Sequence, residues 1–347
     1  MMKVFKTVLL VFIVASVGMG ISGCNKSVPE EAAAAPAPVA EKLVMAMVTN
    51  QSGLGDQSFN DAAWEGLGQA EIKYGIERKV LESREQAQYV PNLSTLAEQG
   101  ASLVVGVGFM IKDAVAEAAE MYPDTYFGMV DGSVDQPNVA SIHFRENEGA
   151  FLVGAIAAKV SKTGTIGFVG GMSTPVTNRF EAGYRAGAMT ANPDIEVLIS
   201  YAGTFADAAK GEEMANPQYD QGADVIFQVA GQTGLGVINA AKKKGLYVIG
   251  VDRDQNYLAP ENVLSSMIKR VDIAVLNAVG MVVDGTFKGG DYFYGIKEGA
   301  IDFATSGDLI PADVIEYANM LKGKIVAGDI TAPATYEELE KFSPPTM

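Results

Sequence analysis

A chain of 347 residues exceeds the usual size of a single domain, so two domains with a sizeable core are expected. The formal net charge of -16, from 42 acidic and 26 basic side chains, repels nucleic acid and anionic lipid and argues against a phosphate-backbone partner. One Cys and one His remove a Cys/His zinc cluster and a disulfide framework, and leave imidazole-assisted catalysis to His143 alone.

The chain opens with two lysines in "MMKVFK", an apolar run "VLLVFIVASVGMG" and then "ISGC". That run is short for a membrane span and has the layout of a secretion leader, residues 1–23. The stretch Ile21-Ser22-Gly23-Cys24 resembles the lipobox of bacterial lipoproteins, which implies that Cys24 is diacylated and becomes the mature N-terminus. Residues 24–41 continue as an Ala-, Pro- and Glu-rich stretch with no periodic apolar face, which reads as a flexible tether. A lipid with such a linker anchors a chain to a membrane without spanning it.

From Leu43 onward short apolar runs alternate with helical segments: "LVMAMV", a helix near 60–74, "KVLES", a helix near 89–99, "SLVVGV", a helix near 111–121, and "YFGMV". This βαβα rhythm predicts parallel sheets covered by helices on both faces. After a crossing segment near 140–150 the rhythm restarts at "TIGFVGGM". The second half repeats the first: Gln-Gly-Ala, strand, glycine turn, helix and strand run from Gln99 to Asp131 and again from Gln221 to Asp252. Phe59 precedes Gly66 as Phe180 precedes Gly187. Ligands of such sheets bind beyond the carboxyl ends of the strands, so two facing lobes predict a cleft with strand-end residues on its walls.

The segments "GDQSFNDAAWEG", "FRENEGAFLVG", "IGFVGGM", "YAGTFADAAKG", "VAGQTGLGV", "GVDRDQ" and "SSMIKR" occur in that order across residues 43–330. Together they resemble the basic membrane protein family of lipoproteins, the purine-nucleoside-binding group that serves ABC transporters. The resemblance implies an α/β, two-lobed periplasmic-binding-protein fold of type I, each lobe a parallel sheet flanked by helices, with the ligand cleft between. It also implies an ABC permease as partner, a nucleoside such as inosine, guanosine or adenosine as ligand, no cofactor, no metal and no catalysis. The lobes are expected over 42–145 plus about 270–288, and over 146–269 plus about 289–347.

A nucleoside calls for stacking rings, polar partners for the base edge and acceptors for the sugar hydroxyls. Phe59, Phe109 and Phe205 are candidate rings, although any of them can belong to the core. The resemblance favours stacking at Phe205, and this chain has Leu54 where some relatives carry a further aromatic. Asn60 can read a base edge and Asp131 can accept from a base nitrogen, while Asn60 or Asp61 can instead cap the following helix. Asp252 follows "LYVIGV" at a strand end, where a carboxylate commonly accepts two sugar hydroxyls. The resemblance assigns Asp252 and Lys269 to the ribose; an Asp252–Lys269 ion pair is the structural alternative. Gly231 opens "GQTGLG", which lacks the GxGxxG order and suits close backbone approach to a ligand. His143 lies in the crossing segment, where a structural role is the simpler reading. The rival functions are a nucleoside hydrolase or phosphorylase acting through Asp252 or Asp131, a sugar receptor, and a lipoprotein whose cleft serves a partner protein.

Overall fold

The computed structural model describes residues 42–345, so the leader, Cys24 and the tether lie outside the described residues. In the first half the apolar runs form strands β1 (Val44–Val48), β2 (Glu77–Leu81), β3 (Ala101–Val107), β4 (Tyr126–Val130) and β5 (Val139–Phe144). The second half supplies β6 (Thr165–Gly170), β7 (Glu196–Tyr201), β8 (Val225–Val229), β9 (Tyr247–Asp252) and β10 (Val263–Lys269), followed by β11 (Gly290–Tyr294) and β12 (Ile301–Phe303). They make two six-stranded sheets, ordered β11-β5-β4-β3-β1-β2 and β12-β10-β9-β8-β6-β7. The two orders are the same once the second lobe is matched to the first, strand for strand. Central strands such as β3 and β8 are almost continuously apolar because parallel sheets are covered on both faces. The outer strands β2 and β7 carry charge and are only half-buried.

The helices are α1 (Phe59–Tyr74), α2 (Tyr89–Glu98), α3 (Lys112–Met121), α4 (Glu146–Val160), α5 (Pro175–Ala191), α6 (Ala208–Asp220), α7 (Gln232–Lys244), α8 (Val271–Val283), α9 (Ala312–Ala327) and α10 (Tyr336–Lys341). Thr174 caps α5 by accepting from the Thr177 N–H, and Pro175 follows where no intrahelical donor is needed. From Gly149 to Ala158 helix α4 is apolar around its whole circumference because α5 and α9 cover what the second sheet does not. None of the described helices is long and apolar enough to cross a membrane.

The chain crosses between lobes after β5, after β10 and between β11 and β12. Helix α4, which leaves the first sheet, packs on β10 and β12 of the second, whereas α8 leaves the second sheet and packs on β3 and β4 of the first. Strand β11 runs parallel to β5, pairing Gly290 with Ala140 through Tyr294 with Phe144. The chain therefore stays in the first sheet to Tyr294, beyond the change near 289 expected from sequence, because β11 satisfies the open edge of β5. Its counterpart β12 closes the second sheet in the antiparallel sense.

The repeat spacing has a packing cause. A Cβ on Gly187 would lie 1.9 Å from the Phe151 carbonyl oxygen, and one on Gly154 2.1 Å from that of Tyr184, so α4 and α5 touch backbone to backbone. Gly66 plays the same part in the first lobe, where a Cβ would meet the Asp272 carbonyl at 2.5 Å. Gly187→Ala must push α5 off α4 and is expected to destabilise the protein by about 1–3 kcal/mol. Urea unfolding measures this directly, and an unchanged midpoint would contradict the close approach.

Candidate ligand cleft between the lobes

The turn ahead of α1 is organised by one carboxylate. Asp56 is buried, and its oxygens accept from the backbone N–H groups of Ser58 (3.0 Å), Asn60 (2.8 Å) and Asp61 (3.2 Å) and from Asn60 Nδ2 (2.8 Å). The three backbone groups are donors that a helix start leaves without intrahelical partners. Asn60 is fully buried: its Nδ2 also donates to Asn50 Oδ1 (3.0 Å) and its Oδ1 accepts from the Asn50 N–H (3.3 Å). Asp61 accepts from the N–H groups of Gly55 (2.8 Å) and Gln57 (3.0 Å). Neither Asn60 nor Asp61 lines the cavity, in contrast to the sequence expectation, because the turn itself uses their polar atoms. Asn50, next to the end of β1, lines it instead.

A cavity lined by residues of both lobes lies between the carboxyl ends of the two sheets. Phe59, Phe109 and Phe205 all line it, and so does Phe180, which the repeat pairs with Phe59. The rings of Phe109 and Phe205 approach edge to face across the cleft, with centroids 6.3 Å apart. Phe59 also packs on the core, so its scaffold and wall roles coincide. Gly231 has φ 56° at the start of α7, and a Cβ there would crowd the Phe205 carbonyl at 3.3 Å and Ser52 Oγ at 3.4 Å.

Asp131 and Asp252 follow or end equivalent strands, and each has φ 65°, a left-handed conformation that Asp tolerates better than most residues. Both line the cavity, with Lys269 beside them. The Lys269 ammonium is buried and donates to Asp131 Oδ1 (2.9 Å) and Oδ2 (2.7 Å) and to Glu146 Oε1 (3.0 Å). Arg179 Nε holds the other Glu146 oxygen at 2.8 Å. Lys269 thus bonds Asp131 and Glu146 and makes no hydrogen bond with Asp252, which accepts from Ser58 Oγ of the opposite lobe. The structural alternative of an Asp252–Lys269 ion pair is therefore corrected, because Asp131 and Glu146 already occupy the three ammonium donors. Glu146 and Arg179 are the members that residue-type reasoning missed; the segment "FRENEG" carried Glu146 without showing that it turns inward.

Burial and charge act against each other here. Burial pushes Asp252 up to about 7, with Lys269 and Ser58 opposing the rise. Burial would also raise Glu146, but Lys269 and Arg179 outweigh it and hold the carboxyl below its ordinary range. Burial would lower Lys269, yet the surrounding carboxylates hold it above its ordinary value. The lobes are closed on each other: Ser52 Oγ donates to the Phe205 carbonyl (3.0 Å), Gln255 Nε2 to the Gln57 carbonyl (3.0 Å), and Arg253 pairs with Glu65 (2.9 Å). His143 stands outside the cavity, bonded to Asp291 (2.7 Å) and stacked on Phe293. Among the described residues no cluster of His, Cys, Asp or Glu is placed to hold a metal ion.

A family model described as "ABC transporter substrate-binding protein PnrA-like" matches residues 43–336. The chain belongs to the PnrA-like family of ABC transporter substrate-binding proteins. A Lactococcus lactis relative, "ABC transporter nucleoside-binding protein BmpA", is 37% identical over 337 residues, covering 90% of this chain and 95% of that one. The "CD4+ T-cell-stimulating antigen" of Listeria monocytogenes is 40% identical over 314 residues, covering 84% and 88%. Among solved structures, an ABC transporter solute-binding protein from Aeropyrum pernix K1 superposes with a TM-score of 0.79 at 28% identity, covering 86% of this chain and 96% of that one. The fold is the type I periplasmic-binding arrangement, and PnrA-like proteins, as substrate-binding components of ABC transporters, work outside the cytoplasm.

In this PnrA-like chain, removing the buried cation leaves Asp131 and Glu146 facing each other without it. Lys269→Met is expected to cost about 3–5 kcal/mol of stability near neutral pH. The deficit shrinks as pH falls and the stranded carboxyls take up protons. Denaturant unfolding at pH 5 and pH 8 tests both statements; a wild-type midpoint at pH 8 would contradict them.

Proposed function

We propose that this chain is a lipid-anchored extracytoplasmic receptor that captures a purine nucleoside between its lobes and passes it, chemically unchanged, to an ABC permease. The observation that carries the reading is the composition of the cavity wall, with phenyl rings from both lobes set beside buried carboxylates. Phe109 and Phe205 offer faces and edges to a flat base. Asp252, with one oxygen held by Ser58, keeps further acceptor capacity for ribose hydroxyls. Lys269 acts on the ligand through Asp131, whose carboxylate it orients. Four carboxyl groups, of Asp56, Asp131, Glu146 and Asp252, meet two buried or half-buried cations, Lys269 and Arg179. That balance suits a neutral ligand rich in N–H and O–H donors. The Lactococcus relative is named as a nucleoside-binding protein, which supports the same ligand class. Cys24, at the end of the leader, is the proposed anchor point.

Isothermal titration calorimetry with inosine, guanosine, adenosine, cytidine and ribose tests the reading. Heat from ribose alone would sink the purine assignment, and release of hypoxanthine from inosine would move the chain to the hydrolase or phosphorylase class. Phe205→Ala should weaken purine nucleoside binding at least about tenfold through lost contact area.

The raised Asp252 value gives an independent check. The closed form keeps the proton that an ordinary Asp loses near 3.8, so its stability falls as pH rises towards and through about 7. Hydroxyl donors of a ligand favour the ionised carboxylate. Binding at pH 6 should therefore release a proton, and affinity should rise with pH up to about 7, effects absent in Asp252→Asn. Enthalpies measured in buffers of different ionisation heat read the proton directly; buffer-independent heats would contradict the assignment.

A further inference from the structure

Asn50 supplies the carboxamide among the side chains that line the cavity, and the protein fixes which end of it points inward. The Ser52 backbone N–H, which can only donate, lies 3.0 Å from one terminal atom of Asn50, so that atom is the oxygen. Asn60 makes the same demand from a second side. Its own oxygen is identified by the Asn50 N–H at 3.3 Å and its nitrogen by Asp56 Oδ2 at 2.8 Å, and that nitrogen sits 3.0 Å from Asn50 Oδ1. All four groups around Asp56 are donors, so the carboxylate sets the polarity of Asn60, and Asn60 reinforces that of Asn50.

What remains is Asn50 Nδ2, which carries two N–H groups and makes no hydrogen bond among the described residues. It lies beside Gly108, a cavity residue on which a Cβ would stand 3.1 Å from it. The other amine and hydroxyl donors of the wall are engaged: Lys269 by Asp131 and Glu146, Ser52 Oγ by the Phe205 carbonyl, and Thr177 Oγ1 by the Met172 carbonyl. A donor left open in a closed cleft favours ligands that bring an acceptor to it.

We propose that Asn50 is a specificity-determining donor of the cleft, and that Asp56 and Asn60 are positioning residues that hold it in this polarity. The ligand must then present a lone pair to this wall. The inference rests on the nucleoside reading, in which the purine edge offers ring nitrogens N3 and N7 and, in 6-oxopurines, a carbonyl oxygen as acceptors. Sequence position alone had favoured Asn60 as the reader; the hydrogen bonds move that task one residue inward along the relay.

The test is a set of affinities for inosine, 3-deazainosine, 7-deazainosine and purine riboside, measured on the wild-type protein, Asn50→Ala, Asn60→Ala, the double variant and Asn50→Asp. Wild type should bind one of the three analogues about tenfold more weakly than inosine. Asn50→Ala should abolish that discrimination. Asn60→Ala should reduce it, yet change nothing further when Asn50 is already Ala. Asn50→Asp keeps the acceptor for Ser52 and turns the inward donor into an acceptor, so inosine affinity should fall by about a hundredfold or more. Equal binding of all four ligands by wild type overturns the inference, as does an Asn60→Ala effect that is the same for every ligand and in both backgrounds. If Asn60→Ala does not fold, inosine affinity retained in Asn50→Asp overturns it just as well. Failure of wild type to bind any nucleoside overturns the nucleoside reading itself and is distinguished from the other outcomes in the first titration.

Discussion

A buried ammonium must be surrounded by acceptors, and the placing of Lys269 imposes that requirement on the whole cleft floor. Its donors reach Asp131 at the end of a first-lobe strand and Glu146 at the start of the helix that crosses to the second lobe. Arg179 then satisfies the far side of Glu146 from α5. Four elements from both lobes are fixed relative to one another by one network of charge. The surrounding rings of Phe59 and Phe144, whose centroids lie 5.0 Å and 4.8 Å from the ammonium, add cation–π contact while keeping water out.

The mouth of the cleft follows from a second buried charge. Asp56 gathers the free donors at the start of α1, and the turn it folds carries Ser52 and Ser58 to the opposite lobe. Ser58 reaches Asp252 and Ser52 reaches the Phe205 carbonyl, so the turn that starts a helix is also part of the surface on which the lobes close. Helix initiation and lobe contact use the same few residues, which explains why so many polar side chains surround Phe59. The ring supplies wall and core at once, and the polar residues supply cap, relay and bridge.

Much of this was legible before any fold was known. The alternation of apolar runs with helical segments gave the parallel sheets, and the shared spacing from Phe59 to Gly66 and from Phe180 to Gly187 gave the duplication. Those glycines have since acquired a reason, because they sit where paired helices touch backbone to backbone. The placing of Asp131 and Asp252 at matched strand ends was readable from the repeat, as were Phe109, Phe205 and Gly231 as strand-end residues. Less was readable of partner choice. The sequence reads Lys269 as a ribose contact beside Asp252 and reads Asn60 and Asp61 as ligand contacts, and nothing local in it marks Glu146 or Arg179.

The division has a physical origin. Periodicity, strand-end position and helix-start chemistry are local properties, set by neighbours within a few residues, so the sequence by itself determined the two α/β lobes, the facing strand ends and the residue types on the cleft walls. Which carboxylate an ammonium selects depends on distances between segments far apart in the chain: Lys269 meets Asp131 and Glu146 across sequence separations of 138 and 123 residues. The orientation of the Asn50 amide likewise depends on donors brought in by the folded turn. Tertiary structure alone decided these, because burial makes each polar group satisfy itself with whatever the packing of the two lobes has placed within reach.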